Sequence, residues 1–188
     1  MSSVDISVVI PTHNRRDLLR EMLEALACQT FPAARFEVIV VADGATDGTQ
    51  EMLRRLETPY SLGVLDQWQS GVAVARNRGA RCARGWLLVF LDDDVLPVPR
   101  LLEEHALTQW KNPPGVVLGR LLPAGAGRKK GWQVWEERVF QKHYQAVLEG
   151  RRPPAGRRLY SGNFSVPRQA FLQVGGFNEG MERGEDIE

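Results

Sequence analysis

The sequence is poor in cysteine, with only two among its 188 residues, Cys28 and Cys82. They lie far apart and outside any Cys-x-x-Cys pair, which excludes a disulfide framework and a metal site built from thiolates. We expect both thiols to be reduced and buried. Any metal that binds here must therefore be one that accepts ligands harder than sulfur.

Long apolar runs are also missing. No stretch approaches the ~20 residues that a transmembrane helix needs. The N-terminal "MSSVDISVVIP" has too short an apolar part for a secretory signal and carries Asp5. The formal net charge is only +1, so no global field favours nucleic acid, and we expect no nucleic-acid partner. These absences predict a cytoplasmic location.

Charge is nevertheless uneven along the chain. Between Arg120 and Arg158 there are ten Lys or Arg against three Glu. One interpretation is a solvated loop and helix face. The other is a surface for phosphate-bearing acceptors or anionic lipid headgroups, with residues 120–158 in peripheral contact with the inner face of the membrane.

Apolar runs that alternate with amphipathic segments fill the first hundred residues. The predicted strands are DISVVIP, FEVIVVAD, SLGVLD and WLLVFL, and the helical segments between them are NRRDLLREMLEALACQ, TDGTQEMLRRL and SGVAVARNRGARCARG. Pro11 is expected to end the first strand, and Asn14 to cap the first helix. This β-α-β-α order predicts an α/β fold with a mostly parallel sheet and helices on both faces.

The remaining chain has a different pattern. A helix (PRLLEEHALTQWK), a strand (GVVLGRLLP), an amphipathic helix (WQVWEERVFQKHYQAVLEG) and a strand-helix-turn unit (GNFSVPRQAFLQVGGF) follow in order. We interpret Trp132 and Trp135 as core residues of the amphipathic helix rather than as an acceptor platform. Residues 124–158, which begin with a Gly-rich stretch and contain Pro-Pro and clustered Arg, are predicted to form a mobile cover over the acceptor side.

The stretch "LLVFLDDDVLP" places three carboxylates directly after a buried strand. Clustered like charges resist desolvation, so such a group is stable in solvent or around a cation. The carboxyl ends of parallel strands meet at one edge of a sheet, where ligands bind. We therefore expect Thr12, Asp43, Arg76 and Asp92 to line one pocket.

Phosphate cradles made of backbone are missing. There is no Gly-x-Gly-x-x-Gly after the first strand and no Walker loop. A phosphate ligand would then need a metal as its counter-charge. Asp92 and Asp94 are hard oxygen ligands that suit Mg²⁺ or Mn²⁺.

Six blocks carry a specific resemblance: SVVIPTHNR, VIVVADGATDGT, GVAVARNRGA, VFLDDD, GNFSVPRQAFLQVGGF and GED. Each is weak alone, but in this order and spacing they resemble the inverting family 2 glycosyltransferases. The resemblance implies the GT-A fold, a Rossmann-like arrangement. It also implies a single domain (1–188) with a nucleotide-sugar-binding half (1–97) and an acceptor-side half (98–188).

By position, the resemblance assigns nucleotide contacts to Pro11, Thr12, Asn14, Asp43, Arg76, Asp92 and Asp93. Pro11 and Thr12 resemble the loop that packs against the base, and Asp43 resembles the acid that bonds the base edge. His13 stands where the family more often has Tyr. Arg76, followed by Asn77, resembles the family's ARN block near the ribose and diphosphate.

Asp92 and Asp94 match the outer positions of the family's DxD motif. The resemblance implies that Asp92 lies near the ribose, that Asp94 is the metal ligand with Asp92 as the second candidate, and that Mn²⁺ or Mg²⁺ is the cofactor. Asp93 is the middle residue of the motif. Glu185 and Asp186 match the family's catalytic "ED" pair, in which Asp186 resembles the general base.

The implied reaction moves a sugar from a nucleotide-diphosphate sugar, with a UDP-sugar favoured, to a hydroxyl of a glycan, lipid-linked sugar or small molecule. Inversion by a single displacement is expected, because one base acts and no second carboxylate is a nucleophile. Haloacid-dehalogenase phosphatases also carry a DxD after a strand, but on the first strand and with Thr or Val where Leu96 stands. That alternative is disfavoured.

A non-catalytic module that binds nucleotide sugars is the second hypothesis. The resembled family continues past its "ED" pair, whereas here only Ile187 and Glu188 follow Asp186. The chain is therefore expected to be C-terminally truncated relative to the family. Whether it is a fragment of an active transferase or a binding domain stays open at this point.

Overall fold

The computed structural model describes residues 4–111, 115–122, 131–151 and 161–180. The strands are β1 (Ile6–Thr12), β2 (Phe36–Asp43), β3 (Ser61–Gln67), β4 (Leu87–Leu91), β5 (Val117–Leu118) and β6 (Asn163–Pro167). The helices are α1 (Arg16–Leu26), α2 (Thr49–Arg55), α3 (Val72–Cys82), α4 (Leu101–Lys111), α5 (Gly131–Leu148) and α6 (Arg168–Gln173), with a short 3₁₀ turn at Ala33–Arg35.

The strands form one sheet in the order β3-β2-β1-β4-β6-β5. The first four run parallel, and β6 and β5 continue the sheet in antiparallel pairs. Because β1 to β4 are parallel and separated by helices, their carboxyl ends lie along one edge. The α/β fold with a mostly parallel sheet is confirmed.

Two hydrophobic cores lie on opposite faces of the sheet. Alternate residues of each buried strand supply both cores, since side chains along a strand point to opposite faces. One core joins the strands to α1, α2 and α4, and the other joins them to α3 and α6. Helices therefore cover both faces, as predicted, and the edge with the strand ends is left open between them.

The prediction that Pro11 ends the first strand is wrong. β1 runs on to Thr12, and Pro11 pairs in register with Val41 of β2. On the other side, pairing with β4 ends at Val9. A proline is tolerated at this position because only one neighbouring strand is present, so the missing N–H is not needed.

Two predictions of burial are also wrong. Cys28, in the turn after α1, and Cys82, the last residue of α3, are free thiols but both are exposed. Trp135 on α5 is 68% exposed, so it is not a core residue. The side chain of Trp132 lies outside the described residues.

The predicted cover is described only in its middle part, which forms α5. Residues 124–130 and 152–158 lie outside the described residues. Within the described ranges, no helix combines the length and the apolar character that crossing a membrane requires.

Candidate functional site

A cleft of about 620 Å³ lies at the carboxyl edge of the sheet, a size typical of small-molecule sites. Its lining comes from strand ends, from two loops and from α3: Pro11, Thr12, His13, Arg15, Asp43, Gln69, Val72, Arg76, Asp92, Asp93 and Ser161. The predicted convergence of Thr12, Asp43, Arg76 and Asp92 is therefore confirmed. The role of each residue stays a prediction.

The loop between β1 and α1 turns sharply at Asn14, which has a φ of 53°. Asn14 does not cap α1 as predicted, since Arg15 occupies the N-cap position without a side-chain cap bond. The Oδ1 atom of Asn14 instead accepts a hydrogen bond of 2.7 Å from the backbone N–H of Thr46. The side chain thus ties together the loops that follow β1 and β2. Asn14 does not line the cleft, and its predicted contact with the nucleotide stays untested.

These bonds also determine the proton positions on His13. Because Asn14 Oδ1 accepts from Thr46, its amide nitrogen is left to donate to His13 Nε2, 3.2 Å away. Nε2 must then be the unprotonated nitrogen. The Nδ1–H therefore donates to the carbonyl oxygen of Asp43, at 2.6 Å. Both ring nitrogens are engaged, so His13 has no free ring nitrogen for a ligand.

Asp43 organises the loop between β3 and α3. Its Oδ1 accepts from Gln67 Nε2 at 2.8 Å and from the backbone N–H of Ser70 at 2.7 Å. Its Oδ2 accepts from the backbone N–H of Gly71 at 2.9 Å. Among the described residues, no second donor reaches Oδ2, and the contact with a base edge that the sequence resemblance assigns to Asp43 stays a prediction.

This loop passes very close to Gly44. A Cβ at that position would stand 2.8 Å from the Cβ of Gln69, and the φ of Gly44 is 69°. Any other residue would be strained there and would push the loop away. Gly44 therefore keeps Gln69 in the wall of the cleft.

The three consecutive aspartates have three different environments. Asp92 Oδ1 pairs with Arg76 Nη2 at 2.6 Å. Asp93 accepts from Thr12 Oγ1 at 2.8 Å and from Arg15 Nη1 at 3.0 Å. Asp94 Oδ2 pairs with the same Arg15 nitrogen at 2.9 Å. Two arginines thus divide the charge of the cluster between them.

Burial also separates the three carboxylates. The side chain of Asp93 is 6% exposed, against 38% for Asp92 and 48% for Asp94. Burial raises the pKa of Asp93, and the bonds from Thr12 and Arg15 offset the rise only in part. Asp93 is therefore suited to hold the turn, whereas the two outer carboxylates keep access to solvent and to ligands.

Arg76 forms the deep end of the cleft. Its side chain is 3% exposed, and its guanidinium carbon lies 5.4 Å from the centre of the Phe177 ring. The ion pair with Asp92 and this cation–π contact hold it rigidly. Its role as a charge partner for a diphosphate stays a prediction.

Asn77, the next residue of the ARN block, does not line the cleft. Its side chain exchanges two hydrogen bonds of 2.9 Å with the backbone of Phe177. Gly176 has a φ of 80°, and a Cβ there would stand 2.4 Å from Asn77 Oδ1. Asn77 and the Gly-Gly turn therefore position Phe177 against Arg76, which is a structural task that sequence reasoning had not separated from ligand binding.

Sequence reasoning missed a buried polar cluster behind the cleft. His105 on α4 bonds Ser165 Oγ at 2.8 Å and Asn163 Oδ1 at 3.0 Å. These β6 residues follow Gly162, whose carbonyl accepts the backbone N–H of Asp92 at 3.2 Å. An isolated His in a helix gives no sequence signal for such a contact. Sequence reasoning also missed Arg15 as a residue of the cleft, although it directly follows Asn14 in the loop at the end of β1.

The predicted catalytic pair, Glu185 and Asp186, lies outside the described residues. Among the residues that are described, no three His, Cys, Asp or Glu side chains form a group able to hold a metal on their own. Metal binding at Asp92 and Asp94 is therefore neither shown nor contradicted.

Comparison with known proteins places these features in a family. The sequence matches the model of Glycosyl transferase family 2 over residues 7–174. A validoxylamine A glucosyltransferase from Streptomyces hygroscopicus subsp. jinggangensis is 35% identical over 210 residues, which covers 97% of this chain and 50% of that protein. The chain thus spans about half the length of the curated relatives it matches.

Solved structures show the same fold. TarS of S. aureus (residues 1–349) superposes with a TM-score of 0.75 at 22% identity, covering 98% of this chain and 53% of that one. The mannosyltransferase PcManGT from Pyrobaculum calidifontis gives 0.74 at 24%, covering 99% and 52%. These similarities show the GT-A fold. Because the family model matches residues 7–174, which is most of this chain, the chain belongs to glycosyltransferase family 2.

Proposed function

We propose that this protein transfers a sugar from a nucleotide-diphosphate sugar to an acceptor hydroxyl, with inversion at the anomeric carbon and with the help of a divalent cation. The observation that supports this best is the pairing of Arg15 with Asp93 and of Arg76 with Asp92 in the lining of one cleft. Guanidinium and carboxylate groups side by side suit a ligand that arrives as an anion together with a cation. A metal diphosphate is such a ligand.

The side chains present fit Mg²⁺ or Mn²⁺. Asp92 and Asp94 offer exposed carboxylate oxygens, which are the hard ligands that these ions prefer. Two carboxylates without a third protein ligand also suit Mg²⁺, which is usually held by one or two carboxylates plus substrate phosphates and water. When bound, the metal acts as a Lewis acid that neutralises the diphosphate leaving group.

The chain's own residues bind and orient the donor. We assign the base to the side of the cleft formed by Pro11, Thr12 and Asp43, with Asn14 bracing that loop. Arg76 and Asp92 receive the ribose and diphosphate. TarS structures contain UDP or UDP-GlcNAc, and PcManGT contains GDP-Man and Mn²⁺. For this chain we favour a UDP-sugar.

Asp186 is our candidate for the general base, with Glu185 beside it. The base takes the proton of the acceptor hydroxyl while the hydroxyl oxygen bonds to the anomeric carbon and the diphosphate leaves. One base and no covalent enzyme intermediate make this a single displacement. The acceptor is a glycan, a lipid-linked sugar or a small molecule.

Residues 1–97 would serve as the nucleotide-sugar half and residues 98–188 as the acceptor-side half of one domain. The segment 124–158 would cover the acceptor side. We retain a cytoplasmic location, with lipid contact through the basic residues of 120–158 as the route to the inner face of the membrane.

Two variants test the proposed function. Asp94→Asn keeps the side-chain shape but removes a charge and a good oxygen ligand, so Mn²⁺-dependent binding of UDP should fall on the order of 100-fold or more. Asp186→Asn should bind UDP like the wild type and lose turnover, because the base touches only the acceptor. Calorimetry with UDP, with and without Mn²⁺, measures the first effect, and a transfer assay measures the second.

Asp17→Asn is a matched control, since Asp17 is an exposed carboxylate on α1 that does not line the cleft. It should bind UDP and Mn²⁺ like the wild type. Equal UDP binding by the wild type in Mn²⁺ and in chelator contradicts the metal-dependent proposal. Metal-dependent binding without any transfer activity supports the alternative, a non-catalytic nucleotide-sugar-binding domain.

A further inference from the structure

Arg15 holds two of the three aspartates through a single nitrogen. Its Nη1 donates to Asp93 Oδ1 at 3.0 Å and to Asp94 Oδ2 at 2.9 Å. The residue stands at the N-cap position of α1, on the lip of the cleft. Arg15 therefore bridges a carboxylate that belongs to the fold, Asp93, and one that is open to ligands, Asp94.

The guanidinium of Arg15 has donors to spare. An arginine carries five N–H donors, and two of these are used on the aspartates. Within the described part of the chain, Nε and Nη2 of Arg15 donate to no protein group. The side chain of Arg15 is 50% exposed, so its guanidinium can contact an anion in the cleft without first leaving a buried position.

The two arginines of the cluster differ in burial. Arg76 is 3% exposed and packs against Phe177, so any displacement would leave a buried charge unpaired and is costly. Arg15 is half exposed and contacts Asp94, whose side chain is 48% exposed. Exposed ion pairs of this kind contribute little free energy, so breaking one costs little. Of the two, only Arg15 can give up a carboxylate at low cost.

We propose that Arg15 is a displaceable counter-cation, which neutralises Asp94 in the ligand-free protein and moves to the diphosphate when a divalent cation takes that carboxylate. This inference rests on the proposed function, because it needs a metal at Asp94. It makes Arg15 a competitor of the metal and a partner of the nucleotide.

Opposite effects on two ligands follow from this double role. Arg15→Gln removes the competing charge, so Mn²⁺ alone should bind roughly fivefold more tightly than to the wild type. The same variant removes a donor to the diphosphate, so UDP at saturating Mn²⁺ should bind roughly tenfold more weakly. Arg15→Lys keeps the charge and should return the Mn²⁺ affinity toward that of the wild type.

Arg16→Gln is the matched control. The charge change is the same and the residue is adjacent, but its Nε pairs with Asp17 at 2.9 Å and the residue does not line the cleft. Mn²⁺ binding is followed by the EPR signal of the free ion without nucleotide, and UDP binding by calorimetry. Thermal unfolding confirms that both variants are folded.

Tighter Mn²⁺ binding by Arg15→Gln than by Arg16→Gln, together with weaker UDP binding, supports the displacement. Mn²⁺ binding that is the same in both variants, including no binding in either, overturns it. The proposed function has separate tests, because it fails when the wild type binds UDP equally in Mn²⁺ and in chelator, or binds it without any transfer activity.

Discussion

The two ends of the parallel sheet each hold a buried carboxylate with a hydroxyl group and an arginine. At the amino end, Glu37 accepts three hydrogen bonds of 2.7 Å, from Ser7 Oγ, from the backbone N–H of Arg84 and from its Nε. At the carboxyl end, Asp93 accepts bonds of 2.8 and 3.0 Å from Thr12 and Arg15. The groups are similar, yet the pKa of Glu37 is lowered and the pKa of Asp93 is raised.

Burial disfavours the charge of Glu37, but the bonds from Ser7 and Arg84 outweigh that cost and lower its pKa. Burial raises the pKa of Asp93, because Thr12 and Arg15 compensate only in part and Asp94 adds a like charge. The amino end thus uses its carboxylate to hold the fold. At the carboxyl end, the protein groups compensate the negative charge of the aspartates only in part. A bound cation would stabilise that charge.

The largest effect is expected at the buried end of the cluster, where Arg76 pairs with Asp92. Arg76→Met removes the 2.6 Å pair with Asp92 and the contact with Phe177. Because Asp92 keeps some access to water, we expect a loss of about 3 kcal/mol in the free energy of unfolding, at the low end for a broken buried pair. Urea denaturation measures it. A loss below about 1 kcal/mol would mean that this end has no rigid anchor.

A second test concerns the amino end. Glu37→Gln keeps the side-chain length but removes the charge that accepts from Ser7 and Arg84, and we expect a loss of about 2 kcal/mol at pH 7. The pKa of Glu37 in the folded protein lies below its ordinary value of 4.5. Its stabilisation is therefore complete above pH 4.5 and is lost as the pH falls through the folded-state pKa.

The difference in unfolding free energy between wild type and Glu37→Gln should accordingly be largest near pH 7 and shrink in acid. Urea denaturation of both proteins at several pH values, from pH 7 down into acid, measures this difference. A difference that is constant with pH would show that Glu37 does not act through its charge, and the contrast between the two ends would disappear.

The smallest effect is expected for Asp93→Asn. The amide oxygen still accepts from Thr12, and the lost charge was one that burial disfavours. The ion pair given up is with Arg15, which is half exposed, so we expect a loss below about 1 kcal/mol at pH 7. Denaturation in parallel with Glu37→Gln gives the comparison. An equal loss in both variants would mean that the two ends are built for the same purpose.

Much of the fold could be predicted from the pattern of apolar residues. The segment FEVIVVAD is the whole of β2, and the Gly-Gly turn after α6 was visible as well. The errors arose where a neighbour decided the outcome. Pro11 stays in β1 because β4 no longer pairs beside it, and Asn14 bonds Thr46 instead of capping α1.

In the candidate site, Thr12, Asp43 and Asp92 were predicted to share one cleft because each lies at a strand end, and the geometry confirms this. Sequence reasoning could not separate Arg76, which lines the cleft, from Asn77, which holds Phe177. Adjacent residues on a helix point in different directions, and which of them meets a ligand depends on the elements packed around it.

The α/β class, the edge of the sheet that carries the polar residues, and the family could all be predicted from the amino-acid sequence, because strand periodicity and motif order are properties of the chain alone. The pairing of the charges, in contrast, depends on the folded arrangement. The three aspartates are the same residue type in the sequence, but their environments differ. Asp92 pairs with a buried arginine, Asp93 is buried beside Thr12, and Asp94 is open to solvent. Those differences come from residues 16 to 81 positions away in sequence. Burial and distance, which set the strength of a charge interaction, exist only once the chain has folded.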